Sequence, residues 1–127
     1  LLLSGLGMTV CGGSYPASQG EHMIVHAYEA LFGAGDVLHG EAVAVATLYM
    51  AWLQEKLLAD ARLVPPEMAS KIKPVTVPSS TLAKTLAAID APTAPEHIGW
   101  DGAKFAEAVR RAPEFRDRFT FLNLDSE

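Results

Sequence analysis

The chain has 127 residues, half of them apolar and 20% charged, with a formal net charge of −5. That is one domain's length, enough to bury a core, and the acidic balance argues against nucleic acid, which calls for a basic face. Cys11 is the only cysteine, so no internal disulfide can form and a reducing, cytoplasmic setting is expected. Mean hydropathy is +0.17, which predicts either a large core or apolar surface that meets a partner.

The opening Leu1-Leu2-Leu3-Ser4-Gly5-Leu6 carries no initiator Met and no positive charge, so it is no signal peptide. No stretch reaches the roughly 18–20 apolar residues of a membrane span. The opening reads as a cut through a hydrophobic helix, and the chain is expected to belong to a longer protein. Residues 1–11 suit a buried, interrupted helix, with Cys11 as a small buried hydrophobe. Gly12 to Gly20 is dense in turn formers and reads as a loop. Ser18 followed by Glu21 matches a capping box, predicting a helix over 19–32 that stops at Gly33-Ala34-Gly35.

A second helix is predicted from His39 or Gly40 to about Asp60. Its first half, Ala42 to Met50, is apolar all round and reads as buried on every side, while Gln54, Glu55 and Lys56 face water. Pro65-Pro66 opens a helix over 66–73. Pro74 and Pro78 bracket an extended linker, Val75-Thr76-Val77, and Ser79 or Ser80 caps a helix over 80–90. Pro92 and Pro95 impose a turn. Asp101 caps a helix over 102–112 whose stripe is Phe105, Ala106, Ala108 and Val109. The tail, Arg118 to Leu124, alternates weakly and reads as a short strand or extended arm. Trp52 and Trp100 read as core or interface anchors, Met8, Met23, Met50 and Met68 as packing, and His97 as a surface residue. The expected architecture is all-α, with five or six helices over 1–127.

Chemistry concentrates in one segment. Three of the four histidines, His22, His26 and His39, fall within eighteen residues. His22 and His26 are one helical turn apart and share a face. His39 starts the next helix beside Gly40, which permits close backbone approach. A catalytic metal site takes about three protein ligands and keeps one position open, so any of the three histidines is a candidate. Glu21, Glu29, Asp36 and Glu41 lie nearby. Glu21 and Glu41 adjoin His22 and the His39-Gly40 pair, point elsewhere on a helix, and read as favourable charge at helix N-termini. No His-Glu-x-x-His and no cysteine pair occurs, which excludes the metalloprotease and zinc-finger patterns.

Ser4-Gly5-Leu6-Gly7-Met8, Tyr15-Pro16-Ala17-Ser18-Gln19-Gly20-Glu21-His22-Met23-Ile24-Val25-His26 and His39-Gly40-Glu41-Ala42-Val43 together resemble the C-terminal metal-binding domain of the sn-glycerol-1-phosphate dehydrogenases. Ala91 to Gly99 and Arg118 to Leu122 extend the resemblance over nearly the whole chain. That family belongs with the iron-containing alcohol dehydrogenases, glycerol dehydrogenases and dehydroquinate synthases. The resemblance implies that His22 and His39 are metal ligands and that His26 contacts the substrate as a catalytic residue. It implies a third ligand, an Asp from upstream near the domain junction, and an upstream Rossmann-like domain that binds the nicotinamide cofactor. No residue of this chain is expected to hold that cofactor, since no Gly-rich phosphate loop appears. The implied reaction is reduction of dihydroxyacetone phosphate to sn-glycerol 1-phosphate with NADH or NADPH, in phospholipid metabolism. Zn2+ fits the implied ligands, with Ni2+ and Fe2+ as alternatives. A homo-oligomer is expected. Lys56 is the first basic residue, so the phosphate is expected at backbone amides near Ser18 to Glu21.

The rival enzymes are glycerol dehydrogenase and dehydroquinate synthase. The synthase pattern Gly-His-x-x-Gly-His is absent, which lowers that rival. A rival of another class is a non-catalytic helical metal-binding or assembly module.

Overall fold

The computed structural model describes residues 2–15 and 17–125. Leu1, Pro16, Ser126 and Glu127, and the side chains of Leu2, Leu3 and Ser4, lie outside the described residues, and with them part of the reading of the opening run and of the loop at Pro16. The described chain is all-α, as expected. Its helices are α1 (Leu2–Cys11), α2 (Gly20–Phe32), α3 (His39–Ala59), α4 (Pro66–Ile72), α5 (Ser79–Ala87) and α6 (Gly102–Phe115). Short 3-10 turns lie at Lys73–Val75, Pro95–Ile98 and Phe121–Leu124. No described helix is long and apolar enough to cross a membrane.

The core forms where α2 packs against both α3 and α6. On α2 the buried positions are Met23, Ile24, Val25, Ala27 and Tyr28; His22, His26 and Glu29 fall on the remaining face. From α3 come Ala42, Val45, Ala46, Met50, Leu53 and Leu57. Burying each large aliphatic side chain contributes about 1.5–3 kcal/mol, so the histidine-bearing helix is held from behind by apolar packing. The wall of α6 is Phe105, Ala108, Val109 and Ala112, an i, i+3, i+4, i+7 stripe. Ala106, assigned to that stripe from sequence, is exposed. The helix also runs past 112 to Phe115 with Pro113 inside it, without the bond that an N–H at 113 would make to the Val109 carbonyl.

Helix ends depart from the sequence reading where another group supplies the cap. Gln19, not Ser18, is the N-cap of α2, and no side chain caps it in the usual way. Instead the Glu21 carboxylate reaches back to the Gln19 amide at 2.9 Å. Pro78, not Ser79 or Ser80, precedes α5. The Ser79 N–H and hydroxyl donate to Glu55 of α3 at 3.0 and 2.5 Å, so the start of α5 is fastened to its neighbour. Asp101 caps α6 as expected, accepting from the Lys104 N–H at 2.9 Å. Gly33 ends α2 with φ +87°, a conformation that favours glycine.

Further expectations are corrected. Residues 75–77 are not a uniform extended linker, since Val75 closes a 3-10 turn. The tail is no strand: Thr120 and Asn123 form a reciprocal capping box that folds 121–124 into a turn. Helix α1 is continuous rather than interrupted, and it is not buried: Leu6 is 61% and Val10 79% exposed. Cys11 is likewise exposed. Apolar composition states a demand for cover, and among the described residues no other helix packs extensively over α1. Met68 is exposed while Met23 and Met50 are buried, Trp52 is half exposed, and Gln54 is half-buried.

The start of α2 is fixed from two sides. Gly20 lies so close to α3 that a Cβ there would meet Met50 Cε at 2.6 Å. The Arg118 guanidinium donates to the Ser18 carbonyl, donates to Ser14 Oγ at 2.7 Å, and stacks over the Tyr15 ring at 4.4 Å. The C-terminal segment thus ties down the loop that delivers His22.

Candidate metal and substrate site

The connection 33–38 returns the chain so that the first residue of α3 lies alongside α2. His22, His26 and His39 then converge on one surface, as the sequence spacing permitted. Ring centres are 5.5 Å apart for His22 and His39, 6.0 Å for His26 and His39, and 6.4 Å for His22 and His26. In a tetrahedral site with metal–nitrogen bonds of about 2.0–2.1 Å, two ligating imidazole centres stand about 5 Å apart. The His22–His39 pair comes nearest to that separation, and both distances to His26 are longer. Two imidazoles are also suitable donor chemistry for zinc, nickel or iron. Among the described residues no group of three His, Cys, Asp or Glu side chains could hold a metal ion. What the described residues offer is one pair of imidazoles, His22 and His39, near the separation that two donors to a shared ion would need.

Two carboxylates frame the cluster. Glu21 Oε1 lies 2.8 Å from His22 Nδ1, against the expectation that sequence neighbours on a helix point apart. Its favourable place at a helix N-terminus is as expected. Glu29 lies between the other two rings, 3.5 Å from His26 Nδ1 and 3.8 Å from His39 Nδ1. Asp36 and Glu41 do not join the cluster; they line a separate cavity of about 360 Å³ beside Tyr28, Phe32, Trp100 and Lys104. A Cβ on Gly40 would meet nothing within 4 Å, so the close approach expected there is not made by the described residues. Glu21 also occupies the end of α2 where a phosphate was expected.

Burial holds the His26 imidazole below its ordinary 6.5, and the positive charge of Arg116 adds to that effect; the Glu29 carboxylate opposes it. Arg116 follows the last residue of α6 and reaches the site because α6 packs along α2. It was missed in the sequence, since nothing local to residue 116 signals proximity to a histidine so far back in the chain. His97, read as a surface residue, is exposed and faces Thr93.

No family model matches the chain. It is 35% identical over 122 residues to a protein of Natronomonas pharaonis named glycerol-1-phosphate dehydrogenase (NAD(P)+), covering 96% of this chain and 29% of that protein. A protein of the same name from Halorubrum lacusprofundi is 33% identical over 122 residues, with the same coverage. One from Methanocorpusculum labreanum is 35% identical over 126 residues, 98% of this chain and 29% of that protein. The chain thus spans about 29% of the length of these curated relatives. Over that span the chain is similar to a segment of proteins named glycerol-1-phosphate dehydrogenase, and its own described residues fold as helices and turns.

Proposed function

We propose that this chain supplies the metal- and substrate-binding half of an NAD(P)H-linked dehydrogenase that reduces dihydroxyacetone phosphate to sn-glycerol 1-phosphate. The observation that carries the reading is the convergence of three histidines from α2 and α3 in a chain whose relatives bear that enzyme's name. His22 and His39 would hold a divalent ion, Zn2+ first among Zn2+, Ni2+ and Fe2+. Such an ion, when bound, supplies Lewis-acid polarisation of the ketone oxygen.

The third donor, an Asp near the domain junction, and the nicotinamide site, in a Rossmann-like domain, would both come from upstream. In the reduction the ketone carbon gains a hydride and its oxygen gains a proton. His26 is the residue assigned to substrate contact and to that proton. With Nδ1 toward Glu29, its Nε2 is left for the substrate oxygen. Burial and Arg116 lower its pKa, so the ring, once it has taken up a proton from solvent, gives its Nε2 proton readily to the substrate oxygen in the reduction, and the neutral ring accepts that proton back in the reverse direction. The apolar backing of α2 by α3 and α6 fixes the helix that carries His22 and His26.

The test is steady-state turnover of the whole protein with NADH and with NADPH. Dihydroxyacetone phosphate is compared with unphosphorylated dihydroxyacetone and glycerol, and with the dehydroquinate synthase substrate. The reading expects turnover of the phosphorylated ketone, lost in His26→Ala. Turnover of only an unphosphorylated polyol, or of the synthase substrate, would replace it.

A further inference from the structure

We propose that Glu21 is a positioning residue that fixes the tautomer and orientation of His22, so that Nε2 of that ring is the free donor atom of the site. The inference rests on the ligand role proposed for His22.

Glu21 sits in the first turn of α2, and one carboxylate oxygen serves two groups. Oε1 accepts from the Gln19 N–H at 2.9 Å and lies 2.8 Å from His22 Nδ1. A carboxylate oxygen only accepts, so the proton of a neutral His22 ring resides on Nδ1 and the Nε2 lone pair is free. The bond to the backbone amide prevents the carboxylate from swinging with the ring, and the helix N-terminus favours its negative charge. Both side chains are largely covered, 19% exposed for Glu21 and 23% for His22. Among the described residues His39 has no equivalent support. Its Nδ1 is 3.8 Å from Glu29 and its side chain is 53% exposed, beyond hydrogen-bond distance. His22 is therefore the pre-set donor and His39 the adaptable one. Carboxylate support of this kind raises ligand basicity and holds ring orientation, and its loss costs about 10–100-fold in metal affinity.

The experiment combines two readouts on the whole protein. Long-range 1H–15N spectra of 15N-histidine-labelled, metal-free protein, with His22→Gln for assignment, read the tautomer of the neutral His22 ring. Zinc affinity is measured by competition with a chromophoric chelator. The wild type is expected to hold Nδ1–H at His22. Glu21→Ala is expected to redistribute the two tautomers and to weaken zinc about 10–100-fold, with helix content unchanged by circular dichroism. Glu21→Gln keeps an oxygen able to accept both bonds and is expected to recover most of the affinity. An Nε2–H tautomer in the wild type overturns the proposal. So does an affinity loss in Glu21→Ala with the tautomer unchanged, which would mark a merely structural role. The tautomer is read without metal or substrate, so the dehydrogenase reading can fail on turnover while this one stands.

Discussion

Trp100 lies flat against Tyr28, ring centres 3.7 Å apart and planes within 9°. Tyr28 is on the same helix as His22 and His26, two residues beyond His26. Trp100 is held by Phe105 at the start of α6, and only 5% of it is exposed. The stack therefore joins the histidine helix to the turn that leads into α6. Trp100→Ala is expected to cost about 3–5 kcal/mol of stability, as large-to-small changes at buried aromatic residues do. Urea unfolding measures it. The indole N–H of Trp100 has no hydrogen-bond partner among the described residues. Trp100→Phe removes that unsatisfied donor and is expected to cost distinctly less, roughly half or below. Equal losses for the two variants would contradict this account of the stack.

The protonation of His26 offers a test with two opposite signs. Burial first, then Arg116, lowers its pKa, while Glu29 raises it. Arg116→Ala is expected to move the His26 midpoint up toward 6.5, and Glu29→Gln to move it further down. NMR titration of the metal-free protein reads both shifts. Movement in the same direction in the two variants would show that these charges do not face the ring.

At the end of α3, Asp60 accepts from the Arg62 N–H at 2.9 Å and from its guanidinium at 2.6 and 3.0 Å. These bonds lower the Asp60 pKa from 3.8 to about 2. A carboxyl with a depressed folded pKa stabilises the fold above its unfolded value and loses that contribution as pH falls through the folded one. The contribution is therefore complete above about pH 4 and disappears toward pH 2. Arg62→Ala should return the Asp60 midpoint toward 3.8 and flatten that part of the acid-unfolding curve. An unchanged midpoint would mean that the ion pair does not persist in solution, where exposed pairs are often weak.

The helices that carry the site were legible because their signals are local. Gly33 ends α2, Asp101 caps α6, and the spacing of His22, His26 and His39 allowed the convergence that the structure shows. Which two of the three rings could share an ion was not legible from spacing, because the answer depends on where 33–38 returns α3. The family resemblance implied His22 with His39, and the observed ring separation is shortest for that pair. Glu55 of α3 acting on Ser79, and the charge of Arg116 acting on His26, work across long sequence separations, so no local pattern announced them. The turn at 121–124 was misread because weak alternation outweighed a Thr-x-x-Asn cap that was present in the residues. The exposure of α1 shows the opposite limit: hydropathy predicts what needs cover, and packing decides what receives it.

Elemental analysis of the purified whole protein tests the central claim most directly, comparing wild type with His22→Ala/His39→Ala and with His26→Ala. The account predicts about one equivalent of divalent metal in the wild type, none in the double variant, and retained metal with lost turnover in His26→Ala. Metal retained in the double variant, or lost in His26→Ala as completely as in the double variant, would contradict the assignment of His22 and His39 as the ligand pair.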